Sequence, residues 1–373
     1  MPRKARPDVW LALAVAVLVA LGIVMIYSAS AFVAEREHEA PYHYLVRQLV
    51  WAVIGTAALL AAYRVDYRRW RRLALPGGIV VLALLVAVLV PPFAHVKANV
   101  HRWLTLGPFA FQPSEFAKLG LLVFLAAGLA SKRERVLAEG WRALVPELGL
   151  CCACLVLVML EPDLGTTLTL AAALGALLYV GGLRLRTLAG GVALVLPALA
   201  WSLVRHPYQR DRLEIFLNPW SDAQGKGFHA VQAFLALGRG GVAGTGPAGS
   251  RQKLFFLPAP HTDFILAVIG EELGFLGLVF VMSLFAILLW RGMRIALRAP
   301  DLFGSYLAFG ITFCIFLQAM INTGVVAGLL PTKGLTLPFL SYGGTSLVAT
   351  MAAVGVLLNI SQHGVVVRPG NGA

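Results

Sequence analysis

Pro258 to Trp290 reads PAPHTDFILAVIGEELGFLGLVFVMSLFAILLW, and it sets both the class of the protein and the place to look for its chemistry. Two prolines, Pro258 and Pro260, stop what precedes them. From Phe264 an apolar run continues for at least a membrane-spanning length, about 20 residues. Asp263 stands at the junction, where a polar loop meets the head of that run. A carboxylate held at that depth is partly dehydrated, and dehydration favours its holding a proton. Ionisable groups are costly at such positions, so they usually serve a function. A carboxylate with raised proton affinity suits general-base chemistry.

The rest of the chain has the same texture. Hydrophobic residues make up 59% of the sequence and charged residues 13%. A water-soluble domain is nearer half apolar and about a quarter charged. The pattern predicts an all-α polytopic membrane protein of about ten transmembrane helices. The expected spans are 9–31, 45–62, 75–93, 112–130, 144–160, 164–182, 188–204, 264–290, 302–325 and 341–360. Residues 1–373 then form a single membrane domain, with a large external loop, 205–263, between spans seven and eight. Glycines inside the runs, such as Gly120, Gly149, Gly274 and Gly277, suit close helix packing in a bilayer. The first run is too long for a typical secretion signal and reads as a retained helix.

Basic residues fix the orientation. Arg3, Lys4, Arg6, then Arg64, Arg68, Arg69, Arg71 and Arg72, then Lys132, Arg133, Arg135 and Arg142, gather on one side. The positive-inside rule makes that side, and both termini, cytoplasmic. The external loop is an exception, carrying Arg205, Arg210, Arg212, Lys226, Arg239, Arg251 and Lys253. Anionic headgroups would explain these cations, as would a pyrophosphate carried on a lipid. Residues 226–237 predict a helix lying on the bilayer, with Phe228, Val231, Phe234 and Leu235 on one side. The glycine-rich stretch 238–250 reads either as a set of backbone N–H groups for an anion or as a hinge.

Other polar residues cluster at external helix ends. Arg102 follows His101. Glu115 and Lys118 are three apart on one helix face, where they form an ion pair, line a cavity, or do both. Glu161-Pro162-Asp163 reads as an exposed tight turn. Arg47 reads as a snorkelling anchor. Glu271 and Glu272 are adjacent, so at least one faces the bundle interior in a structural hydrogen bond. His261 reads equally as a site or a turn residue. Gly328 to Phe339 is a broken apolar segment, predicted to re-enter and line the same cavity, with Lys333 adding a cation. Cys151, Cys152, Cys154 and Cys314 lack metal-ligand spacing. A base beside cations suits hydroxyl attack with an anionic leaving group, and a proton-coupled transporter would use many of the same features.

Four motifs in order narrow the choice. They are Arg102-Trp103-Leu104 through Lys118, Glu161 to Thr166, His261-Thr262-Asp263-Phe264 through Gly274, and Gly328 to Ser346. Together they resemble the SEDS family, the bacterial cell-wall polymerases of shape, elongation, division and sporulation, and the last motif is more similar to its division branch. The resemblance implies a peptidoglycan glycosyltransferase of the bacterial cytoplasmic membrane with its site on the external face. Lipid II would be joined to a growing undecaprenyl-pyrophosphate-linked glycan, with inversion. Asp263 would take the proton of the acceptor 4-hydroxyl. Arg102, Lys118 and Arg47 would steady the pyrophosphate. Glu115 and Asp163 would hold those cations or help bind substrate, with His261 and Lys333 nearby. The partner implied is a class B penicillin-binding protein. No residue set demands a metal or cofactor; a divalent cation bound to the pyrophosphate stays open. An elongation-type polymerase and a lipid II flippase are the alternatives. The net charge of +13 is largely explained by topology, which removes the case for nucleic acid.

Overall fold

The computed structural model describes residues 6–90, 94–97, 100–106, 109–193, 214–225, 227–253, 260–332 and 334–364. The helices, in chain order, are α1 (Val9–His38), α2 (His43–Arg64), α3 (Tyr67–Arg72), α4 (Ala74–Leu89), α5 (Pro113–Ser131) and α6 (Arg133–Glu139). They continue as α7 (Val145–Leu160), α8 (Leu164–Val180), α9 (Phe228–Gly240), α10 (Ile265–Arg298), α11 (Leu302–Val326) and α12 (Gly344–Gln362). Among the described residues seven helical segments are long and apolar enough to cross a membrane, and the shorter apolar α4 and α8 join them. The protein is a polytopic helical membrane protein. Of the expected seventh span, residues 188–193 are helical and 194–204 lie outside the described residues.

Local chemistry sets the helix ends. Asp8, Asp66, Asp163 and Asp301 cap α1, α3, α8 and α11, each side chain accepting a backbone N–H of the first turn. Pro113 opens α5, where its missing N–H costs nothing. Packing is close where side chains vanish: a Cβ on Gly355 of α12 would stand 2.3 Å from the Leu59 carbonyl oxygen of α2.

One element departs from the expected all-helical reading. Ala94–Lys97, Val100–Leu106 and Phe109–Phe111 form strands β1, β2 and β3 of an antiparallel sheet in that order. Its register runs Lys97↔Val100 at one turn and Leu106↔Phe109 at the next. The sheet joins α4 to α5, and β2 carries Arg102.

A second departure lies in α10. Gly274 has φ 68 and ψ −166, so the helix breaks there. The glycine-rich segment fills the break. Thr245 and Gly246 donate their N–H groups to the carbonyls of Glu271 and Glu272, and Phe275 and Leu276 donate theirs to Gly241 and Val242. A Cβ on Gly274 would stand 2.3 Å from the Gly244 nitrogen, so glycine alone fits. Both acidic residues of the break are buried. Glu271 accepts from Ser250 Oγ at 2.5 Å and from the Arg251 and Gln252 N–H groups at 3.0 and 3.3 Å. Glu272 meets Lys253 Nζ at 2.8 Å and Ser28 Oγ at 2.7 Å. The backbone N–H groups that receive the Glu271 carboxylate are thus those of Arg251 and Gln252, just past the glycine-rich stretch, whose last residue, Ser250, adds its hydroxyl.

Helix α9 forms as expected, but it is not simply laid on a bilayer. Val231, Ala233, Ala236 and Gly240 are buried, and Leu235 is exposed. The Phe234 ring packs over Gly328 at the end of α11.

Candidate active site

Asp263 is half-buried at the start of α10, and two neighbouring elements fix the backbone of its turn. Asn322 Nδ2 of α11 donates to the Asp263 carbonyl at 3.0 Å and to that of Leu335 at 2.7 Å. Ser341 Oγ donates to the Thr262 carbonyl at 2.6 Å and accepts from Leu337 N–H at 2.8 Å. Tyr342 N–H donates to the His261 carbonyl at 2.8 Å. The irregular segment 334–343 is thereby tied to the aspartate's own turn. Gly334 lies against the carboxylate, where an added Cβ would stand 3.4 Å from Oδ2.

His261 belongs to an aromatic cluster. Its ring sits 4.5 Å from Tyr44 and 5.6 Å from Tyr342, centroid to centroid. This stacking brings α2 to the site. Arg47, one turn further along α2, is exposed and has no side-chain partner among the described residues.

Lys118 and Glu115 are a buried ion pair at 2.8 Å. Lys118 Nζ also donates to Gln318 Oε1 at 2.7 Å, and Gln318 Nε2 donates to the Thr336 carbonyl at 2.9 Å. Gln318 and Asn322 are four apart on α11, so one helix face binds the adjacent Thr336 and Leu335 carbonyls at the start of the 334–343 segment. A cavity of ≈ 30 Å³ lies between Lys118, Gln318, Pro338 and Thr350. That is enough to admit water.

The Glu161-Pro162-Asp163 turn corrects the sequence reading. It is not a solvated turn: Glu161 is 0% exposed and Asp163 4%. Asp163 caps α8 through the Thr166 N–H and Thr166 Oγ, and accepts from Gln112 Nε2 at 3.2 Å. Arg102 reaches over from β2, donating to the Glu161 carbonyl at 2.9 Å and the Pro162 carbonyl at 2.5 Å. Its guanidinium is thus committed to main chain, and the small sheet is what carries it there.

Both Glu161 carboxylate oxygens are buried without a hydrogen-bond partner among the described residues. Burial first, and then the neighbouring Asp163 carboxylate, push its pKa up to about 8, with Arg102 opposing. The folded chain thus keeps a proton that the unfolded chain releases near 4.5, the ordinary value. Stability falls as pH rises through that window and levels off above about 8. Glu161→Gln, which imitates the protonated acid, is expected to flatten this fall. Thermal unfolding of both forms in detergent across that window checks it, and parallel pH profiles would remove the assignment.

Of the residues singled out in the sequence, Asp263 and His261 share one turn. Glu115 and Lys118 reach that turn through Gln318 and segment 334–343, and Arg102 and Asp163 meet at the α7–α8 turn. Arg47 makes no side-chain contact with them. Lys333 lies outside the described residues. Sequence reasoning missed Gln318, Asn322, Gln112 and Ser341. Gln318 and Asn322 did carry a signal, being amides one helical turn apart in an otherwise apolar run.

Comparison with known proteins completes the description. The family model for FtsW, RodA and SpoVE, described as "Cell cycle protein", matches residues 9–365. A probable peptidoglycan glycosyltransferase FtsW from Geobacter metallireducens is 42% identical over 360 residues, covering 96% of this chain and 95% of that one. Stage V sporulation protein E of Bacillus subtilis is 42% identical over 369 residues, covering 97% and 98%. Among solved structures, a chain from a study of polymerization and crosslinking coordinated by a peptidoglycan synthase complex superposes with TM-score 0.79 at 35% identity, covering 95% and 97%. The rod shape determining protein RodA of Thermus thermophilus gives TM-score 0.71 at 33% identity, covering 96% and 97%.

Proposed function

This chain belongs to the FtsW/RodA/SpoVE family of cell cycle proteins, and from that premise we propose that it is a peptidoglycan glycosyltransferase that polymerises lipid II for the division septum. The observation that carries this reading is the 42% identity across 96% of the chain to a protein named for that activity. The acceptor 4-hydroxyl loses its proton to Asp263, its oxygen attacks the donor's anomeric carbon with inversion, and the lipid diphosphate departs. The main-chain bonds around Asp263 support the assignment of the base, because a preset carboxylate needs no reorganisation as the reaction begins.

The cations divide by accessibility. Arg47 is exposed at the end of the bundle that holds Asp263, and so it is the one best placed to meet an incoming diphosphate. Lys118 and Arg102 are engaged in the contacts described, and their first role is to position segment 334–343 and the α7–α8 turn. The site faces outward and both termini are cytoplasmic, in keeping with the distribution of Arg and Lys. A class B penicillin-binding protein is the partner that cross-links the product.

Co-reconstitution with such a transpeptidase in liposomes supplied with lipid II tests the reading. Glycan strands are the expected product. Lipid II that crosses the bilayer with no strands formed would replace polymerisation by transport.

A further inference from the structure

A second site lies at the opposite end of the bundle. Asn359 is buried near the end of α12; its Nδ2 donates to the Tyr63 carbonyl at 2.7 Å and its Oδ1 accepts from the Tyr67 N–H at 2.9 Å. It thereby holds the break between α2 and α3. A rise of about 1.5 Å per residue puts Asn359 about 23 Å from Gly344, the α12 residue that follows Tyr342 of the Asp263 cluster. That separation approaches the thickness of a hydrocarbon core, about 30 Å. The α2–α3 break therefore sits at the headgroup level of the other leaflet.

A cavity of ≈ 520 Å³ opens there, lined by Arg68, Arg71, Arg72, Asp301 and Phe303. Its wall is fixed. Tyr67 is fully buried, stacks on Phe303 at 6.3 Å and donates to Asp301 Oδ2 at 2.5 Å. Asp301 also accepts from the Gly304 N–H at 2.8 Å and faces Arg68 at 3.6 Å, so the one carboxylate of the lining is satisfied. Arg71 and Arg72 have no ion-pair partner among the described residues. Leu73, Leu75 and Ile79, exposed on the chain that follows, extend an apolar surface away from the arginines.

We propose that the Arg68–Arg71–Arg72 cavity binds the phosphate headgroup of an anionic membrane phospholipid whose acyl chains lie along α4. Arginine's planar donors match a phosphate's oxygens. The adjoining apolar face of Leu73, Leu75 and Ile79 favours a lipid over a free anion.

Native mass spectrometry of the full-length protein titrated with phosphatidylglycerol provides the test. Each arginine removed is expected to weaken binding roughly fivefold, so Arg71→Gln combined with Arg72→Gln loses most of the bound lipid. Arg133→Gln combined with Arg135→Gln, exposed on α6, is expected to leave it unchanged. The proposal is overturned if both double variants weaken binding alike, if neither does, or if inorganic phosphate displaces the lipid. A photo-crosslinkable phosphatidylglycerol on the unmodified protein gives an independent reading: labels within residues 68–79 support the site, and labels only elsewhere overturn it.

Discussion

Asp263→Asn is expected to cut glycan synthesis from lipid II by about 10²–10⁴-fold, the usual contribution of a positioned general base. Asparagine keeps the size and shape of the side chain and removes its ability to take a proton. The turn itself is held by bonds to main chain, from Asn322, Ser341 and Tyr342. None of these uses the Asp263 side chain, so the variant keeps the bonds that hold the turn. The readout is strand formation by the protein with its transpeptidase partner, alongside the melting temperature. Parent-like synthesis by a properly folded Asp263→Asn would end the assignment of the base. Loss of synthesis together with loss of folding would leave the aspartate a structural residue instead.

Lys253→Met should destabilise the fold by about 3–5 kcal/mol, because it strands a buried carboxylate. Lys253 is 2% exposed and Glu272 1%, and their 2.8 Å contact is supplemented by Ser28. Removing the ammonium leaves Glu272 with one hydroxyl and no counter-charge. The pair joins three distant parts of the chain: α1 through Ser28, the glycine-rich loop through Lys253, and the α10 break through Glu272. Lys253→Met combined with Glu272→Leu is expected to recover most of the loss, since a matched apolar pair avoids desolvating two ions. Chemical denaturation in detergent measures both. A double variant no better than the single one would show that the residues act separately.

Much of this was legible in the sequence, for reasons that differ from residue to residue. The long apolar runs declared their helices because a bilayer demands a minimum length and leaves few other structures open to the backbone. Asp263 stood out because a carboxylate is rare where such a run begins. The sheet between α4 and α5 was hidden: strands of three to seven residues are too brief for alternation to register. Glu161 was misread because Pro-Asp-x-Gly makes an equally good turn in water or under a protein lid, and only packing decides which. The glycine-rich stretch left two readings open, and its N–H groups on Thr245 and Gly246 proved to serve the main-chain carbonyls of Glu271 and Glu272. Such a long-range partner leaves no local trace. Gln318 and Asn322 were within reach of a periodicity argument, though their targets, the carbonyls of segment 334–343 and Asp263, were not.

The broken helix α10 has a consequence for how substrate gets in. Residues 241–246 are sewn to 271–276 by a seam of main-chain hydrogen bonds, reinforced by the buried Glu271 and Glu272 carboxylates. Such a seam cannot peel open without exposing several amides to lipid or protein at once, each at a cost comparable to a lost buried hydrogen bond. The glycines here are a fastening rather than a flap. On the proposed function, substrate therefore enters without this seam opening.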